Sequence, residues 1–169
     1  NFATSRHSGS PGHMPWARAG DAGSRYVSAT SGTAMAAVDV DALWNFADPA
    51  ASEQRFRAAL ATARGDDALI LRTQIARTHG LRGRFDEAHA ELDAIAAAVE
   101  AAGPEVQVRA RLERGRTLRS AGRAADARPQ FEQAFDRADR ASLGALAADA
   151  LHMLALVAAS PDERIAGNR

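Results

Sequence analysis

Arg82-Gly83-Arg84-Phe85-Asp86-Glu87-Ala88-His89-Ala90-Glu91-Leu92 runs from a glycine turn directly into an amphipathic stretch. Thirty-nine residues later the pattern returns as Ala121-Gly122-Arg123-Ala124-Ala125-Asp126-Ala127-Arg128-Pro129-Gln130-Phe131. The same offset carries Arg72 onto Arg111, Arg77 onto Arg116, Thr78 onto Thr117 and Ala88 onto Ala127. Self-similarity at a fixed period marks stacked repeats, in which each helical unit buries its apolar face on the next.

Outward from these two stretches the chain reads as helix after helix, with no strand pattern. Phe85, Ala88, Leu92, Ile95 and Val99 draw one face at 3-4-3-4 spacing, predicting a continuous fourth helix as far as Ala102. Its counterpart, the sixth, carries Ala124, Ala127, Phe131, Ala134 and Ala138. Pro129 falls inside it; a mid-helix proline costs ~3 kcal/mol, so a kink or a start nearer Arg128 is expected. Upstream, Asp41 to Phe46 reads as a short first helix, and Asp48-Pro49 as the cap and first turn of the second. Gly65 is expected to close that second helix and Asp66 to cap the third, which runs to Gly80. Gly103-Pro104 starts the fifth, lined by Val108, Leu112, Gly115 and Leu118, and the seventh spans about Leu143 to Ala158. Ser160-Pro161-Asp162-Glu163 has the form of a capping box that opens a short eighth helix. The fold expected is an all-α right-handed solenoid of antiparallel helix pairs, about seven helices plus a short terminal one. The seventh helix is rich in leucine, so the array reads as incomplete beyond it, or as self-associating through residues 143–158, with Leu151 and Leu154 at the contact.

Composition narrows the function. The 169 residues carry no net charge and no cysteine, which excludes disulfides and thiolate metal sites and argues against a dedicated nucleic-acid binder. Every one of the 21 cationic residues is arginine, a bias that points to a GC-rich, bacterial genome. No apolar run reaches the roughly 18 residues of a membrane span. Residues 1–34 lack periodicity and lack the apolar core of a secretory signal, so they read as a disordered leader, or as an artefact ahead of an initiating Met35. A cytoplasmic location follows from that reading.

Paired helices with small residues at their crossings resemble the tetratricopeptide repeat family, whose unit follows W-x2-L-G-x2-Y…A-x3-F…P over ~34 residues. The match covers about residues 37–169. First helices offer Arg72-x2-Ile75-Ala76-x2-His79 and Arg111-x2-Arg114-Gly115-x2-Leu118. Second helices offer Ala88-x3-Leu92 and Ala127-x3-Phe131, preceded by Ser52-x3-Phe56, and a third small residue would fall at Ala166. Arg72 and Arg111 stand where the family has a large aromatic, and the closing proline is missing from its usual place. The resemblance implies a non-enzymatic protein-interaction scaffold whose concave groove grips a peptide or helix of a partner.

It also implies that Arg77 and Arg116 face that groove, with Thr73, Arg109, Arg119 and, on the seventh helix, His152. Guanidinium forks bind carboxylates bidentately, so an acidic peptide is the expected partner. Lysine and asparagine, the residues of the family's peptide-carboxylate clamp, are absent from these helices. The bland alternative is a solvated face balanced by Glu105, Glu113 and Asp126. A sensor or interaction arm of a nucleic-acid-binding or signalling assembly is the other functional reading. His79 and His89 beside Asp86 and Glu87 invite a metal or acid–base reading. It is set aside: His79 replaces a packing aromatic, acids in a first turn favour the helix dipole, and no catalytic or cofactor motif accompanies them.

Overall fold

The structure, a computed structural model, describes residues 37–158. The leader, the Ser160 capping box and Ala166 lie outside the described residues. Among those described, the protein is all-helical, with eight helices and no strand. They are α1 Val40–Leu43, α2 Pro49–Leu60, α3 Gly65–Leu81, α4 Phe85–Asp93, α5 Ala96–Ala101, α6 Pro104–Ser120, α7 Ala124–Arg140 and α8 Gly144–Ala158.

Local chemistry explains most of the boundaries. Asp48 caps α2 by accepting from the Ala51 amide at 3.0 Å, with Pro49 at the first helical position, where its missing N–H is not needed. The repeated glycines end α3 and α6 in the same way. Gly83 (φ 72°) and Gly122 (φ 78°) adopt the left-handed conformation. The amides that follow reach back across the turn, Arg84 to the His79 carbonyl at 3.0 Å and Arg123 to the Leu118 carbonyl at 2.9 Å. This is a Schellman closure, and it repeats at the sequence offset. A third closure ends α7, with the Leu143 amide on the Ala138 carbonyl at 2.8 Å, but Ser142 takes the left-handed position at φ 58°.

Four sequence expectations are corrected. Gly65 opens α3 rather than closing α2, since its φ of 55° is the turn into the helix. Asp66 is not the cap; its Oδ2 instead accepts from the Gly103 amide at 3.0 Å, tying the start of α3 to the start of α6. The first helix stops at Leu43, and Trp44 is extended. The helix expected over Phe85–Ala102 breaks into α4 and α5, because the Ile95 amide turns to the Leu92 carbonyl only three residues back. The apolar face survives the break, with Ala88, Leu92, Ile95 and Val99 all buried. Pro129, by contrast, does not shorten α7, which is continuous from Ala124 to Arg140. Pro129 and Ala125, whose carbonyl loses its amide partner, are both exposed, so the defect faces water.

Packing follows the order of the helices. Helix α3 packs against α2, α4 and α6, while α6 in turn packs against α7 and α8. One core gathers Phe56, Leu71, Ile75, Ile95 and Val106; a second gathers Leu112, Phe131, Ala134, Met153 and Val157. Helix α6 contributes to both.

Of the described glycines, Gly115 faces the closest neighbour. A Cβ there would lie 2.5 Å from Cε1 of Phe131, a ring with no exposed surface into which to retreat. The equivalent positions of the preceding repeat are Ala76 and Leu92, both buried. A smaller residue on one helix thus accompanies a larger one on the other. Gly115→Ala is expected to destabilise the protein by ~1–3 kcal/mol through overpacking, despite the better helix propensity of alanine. Adding Phe131→Leu should recover most of that loss by recreating the Ala76–Leu92 combination, as read from urea unfolding midpoints.

Candidate functional site

A cleft of about 180 Å³ lies between α3, α6 and α8. Arg77 and Leu81 come to it from α3, Glu113, Arg116 and Arg119 from α6, and Met153 and Leu156 from α8. Three of the six sequence-predicted residues, Arg77, Arg116 and Arg119, therefore meet at one site. Their states differ.

Arg116 is saturated. Its Nη1 donates to Oε1 of Glu113 at 2.6 Å, and its Nη2 pairs with Oδ2 of Asp149 on α8. Burial alone would ease its proton off, but Glu113 and Asp149 outweigh that and raise its pKa further. Arg77 is held loosely. Its Nη1 is 3.5 Å from Oε1 of Glu113, and its guanidinium carbon lies 5.4 Å from the ring centres of both Trp44 and Phe46. Those rings stack 4.6 Å apart, and Phe46 is 61% exposed. Cation–π contact of this kind orients a guanidinium without using its N–H groups. Arg119 lines the cleft with no ion pair among the described residues.

The other three predicted residues stand elsewhere. Thr73 is fully buried, and its hydroxyl donates to the Ile70 carbonyl at 2.7 Å. It accepts from Nε2 of Gln74 at 3.1 Å, while Oε1 of Gln74 accepts from the Trp44 indole at 3.0 Å. Thr73 is thus a footing for the aromatic pair under Arg77 rather than a groove contact. Arg109 turns to Glu105 on its own helix, at 2.8 Å. His152 is exposed and does not line the cleft. The reason is a phase slip: α6 starts thirty-nine residues after α3, but α8 starts forty after α6. One extra residue rotates a helix by about 100°, which brings Met153 to the cleft in place of His152.

Glu113 is the residue that sequence reasoning undervalued, counting it as a balancing surface charge. Its side chain is only 2% exposed. The repeat held a usable signal, since Glu113 corresponds to Gln74 and both are buried polar residues at one register position. Thr78 and Thr117 form a second such pair, each hydroxyl bonded to a carbonyl one turn back, Ile75 at 2.7 Å and Glu113 at 2.9 Å. Leu81, Met153 and Leu156, which supply the apolar wall, carry no sequence signal distinct from core.

The histidines lie apart from this cleft. His79 is buried, with Nε2 3.8 Å from Oε1 of Glu53 and Nδ1 3.3 Å from Nη2 of Arg82. Burial, reinforced by nearby arginines and opposed by Glu53, holds its imidazole below the ordinary value of 6.5. His89 is lowered by burial and then by Arg114, 3.4 Å from its Nδ1. Among the described residues no cluster of His, Asp and Glu is arranged to hold a metal ion. Comparison of the chain with family models, with curated proteins and with solved structures finds no match.

Both histidines favour the uncharged imidazole in the fold, so below about pH 6.5 the unfolded chain binds more protons than the folded one. Their contribution is complete above that pH and is lost as the pH falls toward the lower folded values. Thermal melts taken from about pH 7.5 down to pH 5 should show a declining midpoint, and His79→Gln should flatten the decline. A midpoint that rises on acidification would contradict this assignment.

Proposed function

We propose that the protein is a non-catalytic protein-interaction scaffold of the tetratricopeptide-repeat kind, a right-handed solenoid of antiparallel helix pairs. Its groove takes an acidic peptide or helix of a partner, and its setting is the cytoplasm of a bacterium. The recurrence of the same turn closure after α3 and α6 supports a repeat architecture. So does the recurrence of Gln74, Arg77 and Thr78 as Glu113, Arg116 and Thr117.

The observation that carries the binding reading is the unequal state of the cleft arginines. Arg77 and Arg119 retain N–H donors to offer a carboxylate, beside an apolar wall that includes Leu81, itself 52% exposed. Arg116 is spent on Glu113 and Asp149 and acts as a tie between α6 and α8. A nucleic-acid surface is less favoured, because four arginines away from the cleft are neutralised: Arg72 by Glu91, Arg111 by Glu100, Arg114 by Asp93 and Arg123 by Asp126. A phosphate backbone needs local excess charge that survives such neighbours. No helix among the described residues is long and apolar enough to cross a membrane.

Selection of displayed random peptides on the folded chain should enrich acidic sequences, with affinity falling as salt rises. Arg77→Gln combined with Arg119→Glu should weaken the selected peptides by at least about tenfold and leave helicity intact. Arg116→Glu should instead lower stability, on the order of 3–5 kcal/mol, because it strands the buried Glu113. Enrichment of neutral or basic peptides, or indifference to the double substitution, would remove the acidic-groove reading.

A further inference from the structure

Two buried polar atoms at this cleft have no hydrogen-bond partner, and they are opposite in kind. Oε2 of Glu113 is an acceptor and Nε of Arg77 is a donor. Buried polar groups are nearly always satisfied, so two orphans on neighbouring side chains call for a missing group. The two side chains meet only through the 3.5 Å approach of Nη1 to Oε1, the outer limit of a hydrogen bond. While Arg77 rests there, both orphan atoms are shut off from solvent. A group inserted in place of that contact would leave Glu113 its firm 2.6 Å bond to Arg116.

The group that fits must donate to Glu113 and accept from Arg77. A carboxylate only accepts; ammonium, guanidinium and indole N–H groups only donate. A hydroxyl does both. The walls add a second requirement, because Leu81, Met153 and Leu156 present apolar surface that serine, threonine and the carboxamides cannot cover. Three arginines against one glutamate in the lining set a third, excluding a cationic side chain. Tyrosine joins an apolar ring to a hydroxyl tip and loses little conformational freedom when it is ordered.

We propose that the cleft between α3, α6 and α8 receives a tyrosine side chain of the acidic partner, its hydroxyl inserted between Arg77 and Glu113. This rests on the acidic-groove reading. Phe46, stacked on Trp44, lies against the same Arg77 guanidinium.

The test uses the full chain and fluorescein-labelled, Glu/Ala-rich helical peptides identical except for one central residue, Tyr, Phe or Leu. The tyrosine peptide should bind about tenfold more tightly than the phenylalanine peptide, because its hydroxyl bonds to charged groups. In Arg77→Met, verified as folded by its melting curve, the ratio of the two affinities should fall severalfold, whatever happens to affinity itself. Equal binding of the Tyr and Phe peptides would show that water serves the two orphan atoms; it would overturn the tyrosine assignment while leaving the acidic groove standing. A tyrosine preference unchanged in Arg77→Met would also overturn it. If none of the peptides binds, both readings fall together.

Discussion

The contact on which the rest of the structure depends is the approach of α6 to α7 at Gly115. No side chain larger than hydrogen fits there, because Phe131 occupies the space that a Cβ would need. Helices brought this close bury the faces on either side of the crossing, and Ala127, Ala134 and Ala138 are small enough to let that happen along α7. The position of α6 then fixes the register of Arg116 and Arg119, and with it the floor of the cleft. The preceding repeat reaches a similar balance with Ala76 and Leu92. Two solutions to one packing constraint, differing by a methyl on one side and a ring on the other, imply compensating changes within a common design.

Across that frame runs a line of charge, from Arg77 through Glu113 and Arg116 to Asp149, linking α3, α6 and α8. Burying a carboxylate is costly unless its partners are close and well aimed, and removing one partner costs more than the pair contributes. The line is therefore better understood as a means of fixing relative position than as a source of stability. It is also graded. The Arg116 end is tight and closed on both sides, whereas the Arg77 end is slack and leaned on aromatic rings. Rigidity at one end and freedom at the other would suit the binding role proposed above, in which one cation changes partner while the fold stays closed.

Much of the fold was legible in the sequence because the repeat offset, the apolar spacing and the Gly83 and Gly122 turns all pointed to the same helices. The five residues expected to face inward on α7 are the five that the structure buries there. The site was less legible, for definable reasons. A repeat offset carried onto the last helix assumes constant phase, and one added residue near Ser142 was enough to misplace His152. Ion pairing is a property of rotamers and neighbours, so the sequence could not distinguish the saturated Arg116 from the slack Arg77 or the locally paired Arg109. Thr73 is tied through Gln74 to Trp44, which folds back across thirty residues, a contact without periodicity. Glu113 was hidden by habit: an acid among arginines reads as a surface counter-charge unless its partner position in the previous repeat is checked.

The sharing of α6 between two cores has a consequence for how the molecule comes apart. Val106 belongs with Phe56 and Leu71, while Val108 and Leu112 belong with Phe131 and Met153, on the same helix and within two turns. A linear array whose units meet only at their borders can fray from either end, unit by unit. Here the border is itself a structural member of both neighbours, so opening α6 exposes both cores at once, whereas loss of α1 or α8 spares one of them. The slowest amides to exchange with solvent deuterium therefore belong to the middle of α6, with protection grading downward toward both ends of the described chain. In that ordering the floor of the cleft is the last part to open and α8 is the first of its walls to leave.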